Sequence, residues 1–363
     1  MYPRGVSTTP YASEAFLHQL LGKALAAQAC DVHLKVGQPP GARVRGDMVY
    51  FRVDKIRPED TEAAARLIIG GISVGNTGAD PRRAGKIEGS GERVLAYEAG
   101  AVGRFRVTIY RQRGSLALVL RSVPRKVPTL DELGLPPAVT ALAEQGRGLV
   151  VVTGGIAQGR TTTLAAMVGH VNGAAARHLI TLEDPIELLH DDGRASVSQR
   201  EVGIDVTSLA VGLRAALRQD PDLVAVSSID AEETLSAALD VAEAGRLVLA
   251  GLTAHDVRRA VGRLLGRAAP GDRERVAEVL QGVVAQRLVP RRDGTGLVLA
   301  VELLVVTPQI REALRRAAAS GGSVEPAVEQ LMEKGAAHGM QTFDAHLGRL
   351  ATQGLIARSP SVP

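Results

Sequence analysis

A chain of 363 residues, 45% of them hydrophobic, is long enough for two or three domains, each with its own buried core. Its formal charge of +4 and pI of about 9.4 come from scattered arginines rather than a basic block, and aromatics make up only 2% of residues, which argues against stacking on nucleic-acid bases. A single cysteine, Cys30, excludes an internal disulfide and suits a reducing compartment; with no apolar signal core at the start and no apolar run near the roughly 18 residues of a spanning helix, a soluble cytoplasmic protein is expected.

In chain order, Glu14 to Ala29 reads as an amphipathic helix, with Phe16, Leu17, Leu20, Leu21, Ala24 and Leu25 at helical spacing. DVHLKVG, ARVRG and MVYFRV follow as short alternating strands, with Gly46-Asp47 placed to turn between two of them. Thr61 to Ile69 is a second helix. GRFRVTIYRQRGSLALVLRSVP reads as a hairpin in which Phe105, Val107 and Ile109 share one face and Arg104, Arg106 and Thr108 the other. An α+β domain over 1–123 is therefore expected, closed by a linker at 124–133 that carries Pro124 and Pro128.

From Leu149 the pattern changes to buried strands alternating with helices. LVVVT, LITL, DLVAVSS and LVLAGL are the strands, separated by TTTLAAMVGHVN, TSLAVGLRAALRQ and EETLSAALDVAEAG. Such alternation predicts an α/β domain over 134–270 with a mainly parallel sheet covered on both faces. A mainly helical part over 271–363 is expected after it, from VAEVLQGVVAQRLV, IREALRRAAAS and VEPAVEQLMEKGA, interrupted by strands around GLVLAVELL.

The segment LVVVTGGIAQGRTTTLAAM places GxxxxGRT, with Gly154, Gly155, Ile156, Ala157, Gln158, Gly159, Arg160, Thr161 and Thr162, between a strand and a helix. Glycines let backbone N–H groups turn inward around phosphate, and the helix start directs its positive dipole end at the same place. The Thr161 hydroxyl is the expected Mg2+ ligand. Arg160 stands where such loops carry lysine, so charge is kept while the compact ammonium is lost.

Several ordered segments resemble the pilus-retraction ATPases of the type II and type IV secretion superfamily: ACDVHL from Ala29, GRFRV from Gly103, LRSVPRKVPTLDELGLP, GLVVVTGG, LEDPIELLH from Leu182 to His190, and QREVGIDVTSLAVGLRAALRQDPDLV from Gln199 to Val224. The resemblance covers nearly the whole chain. It implies a PAS-like N-terminal domain, a RecA-like P-loop domain, ATP with Mg2+ between neighbouring subunits of a hexameric ring, and a place at an inner-membrane pilus base beside a platform protein. It also implies that Arg104, Arg106 and Arg121 complete a neighbour's nucleotide site. QIREALRR, from Gln309 to Arg316, is similar to the family's motion-conveying helix.

Departures fall where the chemistry should be. The family's Gly-Glu, whose glutamate prepares the attacking water, is replaced by Ser227-Ser228; an Arg-Asp pair by Asp230-Ala231; and the histidine box has Arg246 and Thr253 at its aligned positions, with His255 two residues late and read as a plain exposed histidine. Glu183, Asp184 and Glu187 survive, making Glu183 the candidate substitute base and a weak Mg2+ ligand. The pattern points to an ATP-binding ring subunit with weak or absent hydrolysis, alone as a homo-hexamer or mixed with an active paralogue. A fully active retraction motor is the first alternative and a nucleic-acid translocase the second.

Overall fold

The computed structural model describes residues 9–44, 47–72, 92–123, 126–321 and 324–357. The chain divides into two compact units, the first comprising 1–126 with Pro185–Leu188, the second the remainder. Gly46 and Pro124, read above as turn and linker residues, lie outside the described residues.

In the first unit, helix α1 (Glu14–Ala26) precedes strands β1 (Ala29–Lys35), β2 (Gly41–Val44) and β3 (Asp47–Tyr50); helix α2 (Pro58–Ile72) then leads to β4 (Glu92–Glu98), β5 (Arg104–Gln112) and β6 (Ser115–Val123). The strands pair antiparallel in the order β3-β2-β1-β6-β5-β4. The alternation read from β5 holds: Phe105, Val107 and Ile109 are buried against Leu17 and Leu21 of α1 and Ile68 of α2. Helix α1 ends before Ala29, which begins β1, and β4 had no sequence reading.

The second unit continues with α3 (Pro137–Ala143), β7 (Gly148–Gly154), α4 (Arg160–Ala174), β8 (His178–Glu183), β9 (Ser196–Glu201), α5 (Leu209–Ala216), β10 (Leu223–Val226), α6 (Glu232–Glu243), β11 (Leu247–Thr253), α7 (Val257–Arg267), α8 (Arg273–Val279), β12 (Leu280–Pro290), β13 (Leu297–Val305), α9 (Pro308–Ser320), α10 (Glu325–Glu333) and α11 (Phe343–Thr352). Its sheet runs β13-β12-β7-β11-β10-β8-β9, parallel throughout except for the β12–β13 hairpin. Period-two geometry divides β7 between two cores: Leu149 and Val151 pack with α5, α6 and α7, while Val150 and Val152 pack with α3 and α4. All four are fully buried, each worth about 1.5–3 kcal/mol.

The helix expected over VAEVLQGVVAQRLV is overturned. It stops at Val279, and Leu280 onward forms an 11-residue strand beside β7. This strand is buried on both faces, so its apolar positions carry no period-two signature, and Val283 and Val284 favour the extended state. The C-terminal part therefore shares the main sheet. QIREALRR is helical as expected, within α9.

Candidate functional site

The parallel strands β7, β8, β10 and β11 all deliver their C-terminal ends to one edge of the sheet, where ligands of open α/β folds collect. Gly154 ends β7 and Arg160 begins α4, so the loop spans the expected strand-to-helix step. Gly159 is the N-cap in the left-handed region at φ 82°, Ala157 also has positive φ at 59°, and no side chain caps the first turn of α4. Loop and β12 approach closely: a Cβ at Gly154 would lie 2.9 Å from the Gln286 carbonyl oxygen, and one at Gly159 would lie 3.2 Å from Gln286 Nε2. The fully buried Gln286 donates from Nε2 to the Gln158 carbonyl at 2.6 Å, while Gln158 Oε1 accepts from the Leu288 N–H at 2.6 Å. A glycine-bounded loop, braced from behind and leaving an uncapped helix start, fits a phosphate group.

Thr161 and Glu183 line a common small cavity of about 30 Å3 with Thr181, His190 and Ser227. Glu183 Oε1 accepts from Thr181 Oγ1 at 2.6 Å and from Gln199 Nε2 at 2.9 Å, which fixes the carboxylate at the end of β8. Among the described residues no group of three or more His, Cys, Asp or Glu side chains is gathered for a metal. A hydroxyl and one carboxylate nevertheless suit Mg2+, which takes few protein ligands and fills its octahedron from phosphate and water. His190 borders the same cavity, and burial holds its imidazole below the usual range, with Asp191 opposing.

Of the acidic-box carboxylates, Glu183 and Glu187 belong to different units. Glu187 groups with the first unit, where it pairs with Arg106 Nη1 at 2.6 Å, while Glu183 serves the cavity. Arg104 donates to the Ile186 carbonyl at 3.2 Å, and Arg121 pairs with Asp31 at 2.7 Å. Thus all three arginines expected at a nucleotide are engaged within their own unit.

Ser228, just beyond β10, donates from Oγ to Asp230 Oδ2 at 2.9 Å. Thr253 Oγ1, at the end of β11, donates to the same Oδ2 at 2.8 Å and accepts from Arg160 Nη1 at 3.0 Å. Arg263 of α7 meets Asp230 Oδ1 at 3.2 Å, and Arg267 donates to the Asp230 carbonyl. Burial alone would raise the Asp230 carboxyl, but the bonds from Thr253 and Ser228 and the Arg263 charge hold it below its usual range. Burial is also the main influence lowering the Arg160 guanidinium, opposed by Asp230. In the sequence Asp230 and Thr253 stood out only as departures; their meeting depends on β10 and β11 being neighbours. His255 is exposed ahead of α7, as read, and also borders the loop, since a Cβ at Gly155 would sit 3.4 Å from its ring. With Ile156, Arg259 and Arg287 it lines a cleft of about 1230 Å3 reaching α11.

A braced phosphate loop at the sheet's ligand edge, with a hydroxyl and a carboxylate beside it, defines a P-loop nucleotide-binding protein of the α/β class. More narrowly, residues 11–296 match the family described as type II/IV secretion system protein, and the chain belongs to that family. It is similar to the type IV pilus ATPase PilU of Pseudomonas aeruginosa, 35% identical over 331 residues, covering 90% of this chain and 82% of the relative. It is 33% identical over 348 residues to the type IV pilus retraction ATPase PilT of the same organism, covering 94% and 95% respectively. Among solved structures, the crystal structure of the pilus retraction motor PilT with bound ADP matches with a TM-score of 0.81 at 33% identity, over 95% of this chain and 97% of that one.

Proposed function

We propose that the chain is a ring-forming subunit of type IV pilus retraction and twitching machinery that binds Mg2+·ATP and hydrolyses it weakly or not at all. The observation that carries this reading is at the end of β10. There Ser227 and Ser228 offer hydroxyls, and Ser228 is already bonded to Asp230, where water activation requires a carboxylate. Loss of a general base costs roughly 10²–10⁴-fold in rate, and a guanidinium in place of the loop ammonium adds to the deficit.

Binding and cleavage draw on different groups, so the first survives. Backbone N–H groups over 154–162 do not depend on side chains, Thr161 retains its hydroxyl for Mg2+, and Arg160 retains a charge. In a head-to-tail ring, either a homo-hexamer or one mixed with an active paralogue, arginines such as Arg104, Arg106 and Arg121 from one subunit would face the loop of the next after exchanging their present carboxylate and carbonyl partners. The family relationship and the pilus ATPases among the relatives support a cytoplasmic position at an inner-membrane pilus base, next to a platform protein; no helix among the described residues is long and apolar enough to cross a membrane.

The test is phosphate release at saturating Mg2+·ATP from wild type and from Glu183→Gln, both expected at background. A fully active motor is the second reading, favoured by Glu183 sharing a cavity with Thr161. Wild-type turnover comparable to that of a relative with an intact Gly-Glu, abolished by Glu183→Gln, would establish it instead.

A further inference from the structure

Granting nucleotide binding at the loop as proposed above, we infer that Thr253 and Asp230 are positioning residues that hold the Arg160 guanidinium against β11, so that phosphate must win it from a protein acceptor. The geometry is directional. The single hydroxyl proton of Thr253 goes to Asp230 Oδ2 at 2.8 Å, leaving only lone pairs toward Arg160 Nη1 at 3.0 Å. Thr253 is thereby a committed acceptor.

Asp230 is itself immobilised from several directions, by Ser228 Oγ at 2.9 Å, the Thr253 N–H at 3.3 Å and Arg263 at 3.2 Å. Arg263 also donates to the Thr253 carbonyl at 2.6 Å, and Arg267 to the Asp230 carbonyl. Four positions that depart from the ordinary P-loop set, Arg160, Ser228, Asp230 and Thr253, therefore form one connected hydrogen-bonded network. They act as a unit rather than as separate losses. A lysine, with its narrower reach and no fork, would not bridge to β11 in the same way.

Exchange is feasible, because the bond to be given up is one between a cation and a neutral hydroxyl, whereas phosphate offers a charged acceptor. Removing the acceptor should therefore tighten nucleotide binding. Exchange would also unload Thr253, whose carbonyl accepts from Arg263 and whose bonded partner Asp230 holds Arg263 and Arg267, coupling α7 to loop occupancy.

The experiment is titration of the full chain with a fluorescent ATP analogue and Mg2+, for Thr253→Val with and without Arg160→Met. Thr253→Val is expected to lower Kd about three- to tenfold, the value of one such hydrogen bond, and to have no effect in the Arg160→Met background. Thr253→Ser, which restores the hydroxyl, should return wild-type affinity, a rescue that a purely structural role for the methyl group would not give. Thr253→Ala removes the same acceptor and provides a second route to the release if Thr253→Val melts early. Equal effects of Thr253→Val in both backgrounds, or weaker binding, would overturn the positioning role while leaving nucleotide binding intact. Absence of saturable binding in every variant at millimolar nucleotide would overturn both.

Discussion

Arg121 is the sharpest residue-scale test of how the first unit spends its arginines. Its partner Asp31 is only 4% exposed, and the two lie opposite one another on β6 and β1. Burial raises the Asp31 carboxyl, but the hydrogen bonds and charge of Arg121 outweigh it and leave it below the usual range. A carboxyl lowered on folding contributes stability that is complete above its unfolded pKa, roughly 3.9, and is lost as pH falls through the lower folded value. Because the Arg121 side chain is 62% exposed, Arg121→Ala is expected to cost only about 1 kcal/mol at neutral pH. Melting curves of wild type and variant should therefore differ at pH 7 and draw together as pH falls below about 4. A gap that persists unchanged into acid would mean that Arg121 acts through packing rather than charge. Such a commitment also bears on the role the family resemblance implied: Arg121 reaches a neighbour's phosphates only by leaving a buried carboxylate behind.

At the scale of elements, the junction of β10 and β11 is where the site is most tightly fitted. A Cβ at Gly251 would approach the Ser227 carbonyl oxygen to 2.1 Å, and a backbone oxygen cannot swing aside as a flexible side chain can. Gly251→Ala should push β10 and β11 apart, cost about 1–3 kcal/mol or more, and separate Thr253 from Asp230. Thermal denaturation with nucleotide titration checks both effects; an unchanged melting temperature would show that the junction yields easily. Elements of this kind were legible where local chemistry is strong. The run of β7 into a glycine loop and a helix announces itself, and so does the alternation in β5. Two elements were not legible for physical reasons, and a third was not read. Edge strand β9, Ser196–Glu201, is polar and half exposed and has no hydrophobic period; β12 is buried on both sides and reads equally as helix; β4 had no reading at all. Site residues divide in the same way. The candidates Arg160, Thr161, Glu183 and Ser228 stand out by position along the chain, whereas the bracing of the loop by Gln286 and the joining of Asp230 to Thr253 depend on which strands are neighbours. Sequence spacing does not encode adjacency in a crossover sheet.

At the scale of the whole molecule, two compact units in one chain, with a nucleotide loop in the second and ion-paired arginines in the first, are the parts a ring subunit requires. Each site in such an assembly is completed head to tail, and a head-to-tail contact that closes gives a cycle. Multi-angle light scattering with Mg2+·ATP is expected to show a closed oligomer, with a hexamer as the expected size; a monomer at high concentration would contradict ring assembly. The proposed function has this ring hold ATP without consuming it. Its most direct measurement is the identity of the nucleotide that stays bound: the protein is loaded with radiolabelled ATP and Mg2+, separated from free nucleotide after a prolonged incubation, denatured, and its nucleotide resolved. Nucleotide is expected to stay on the protein and to be recovered as ATP. Recovery as ADP with released phosphate would show a working hydrolase, and recovery of no nucleotide would show that the loop does not hold one.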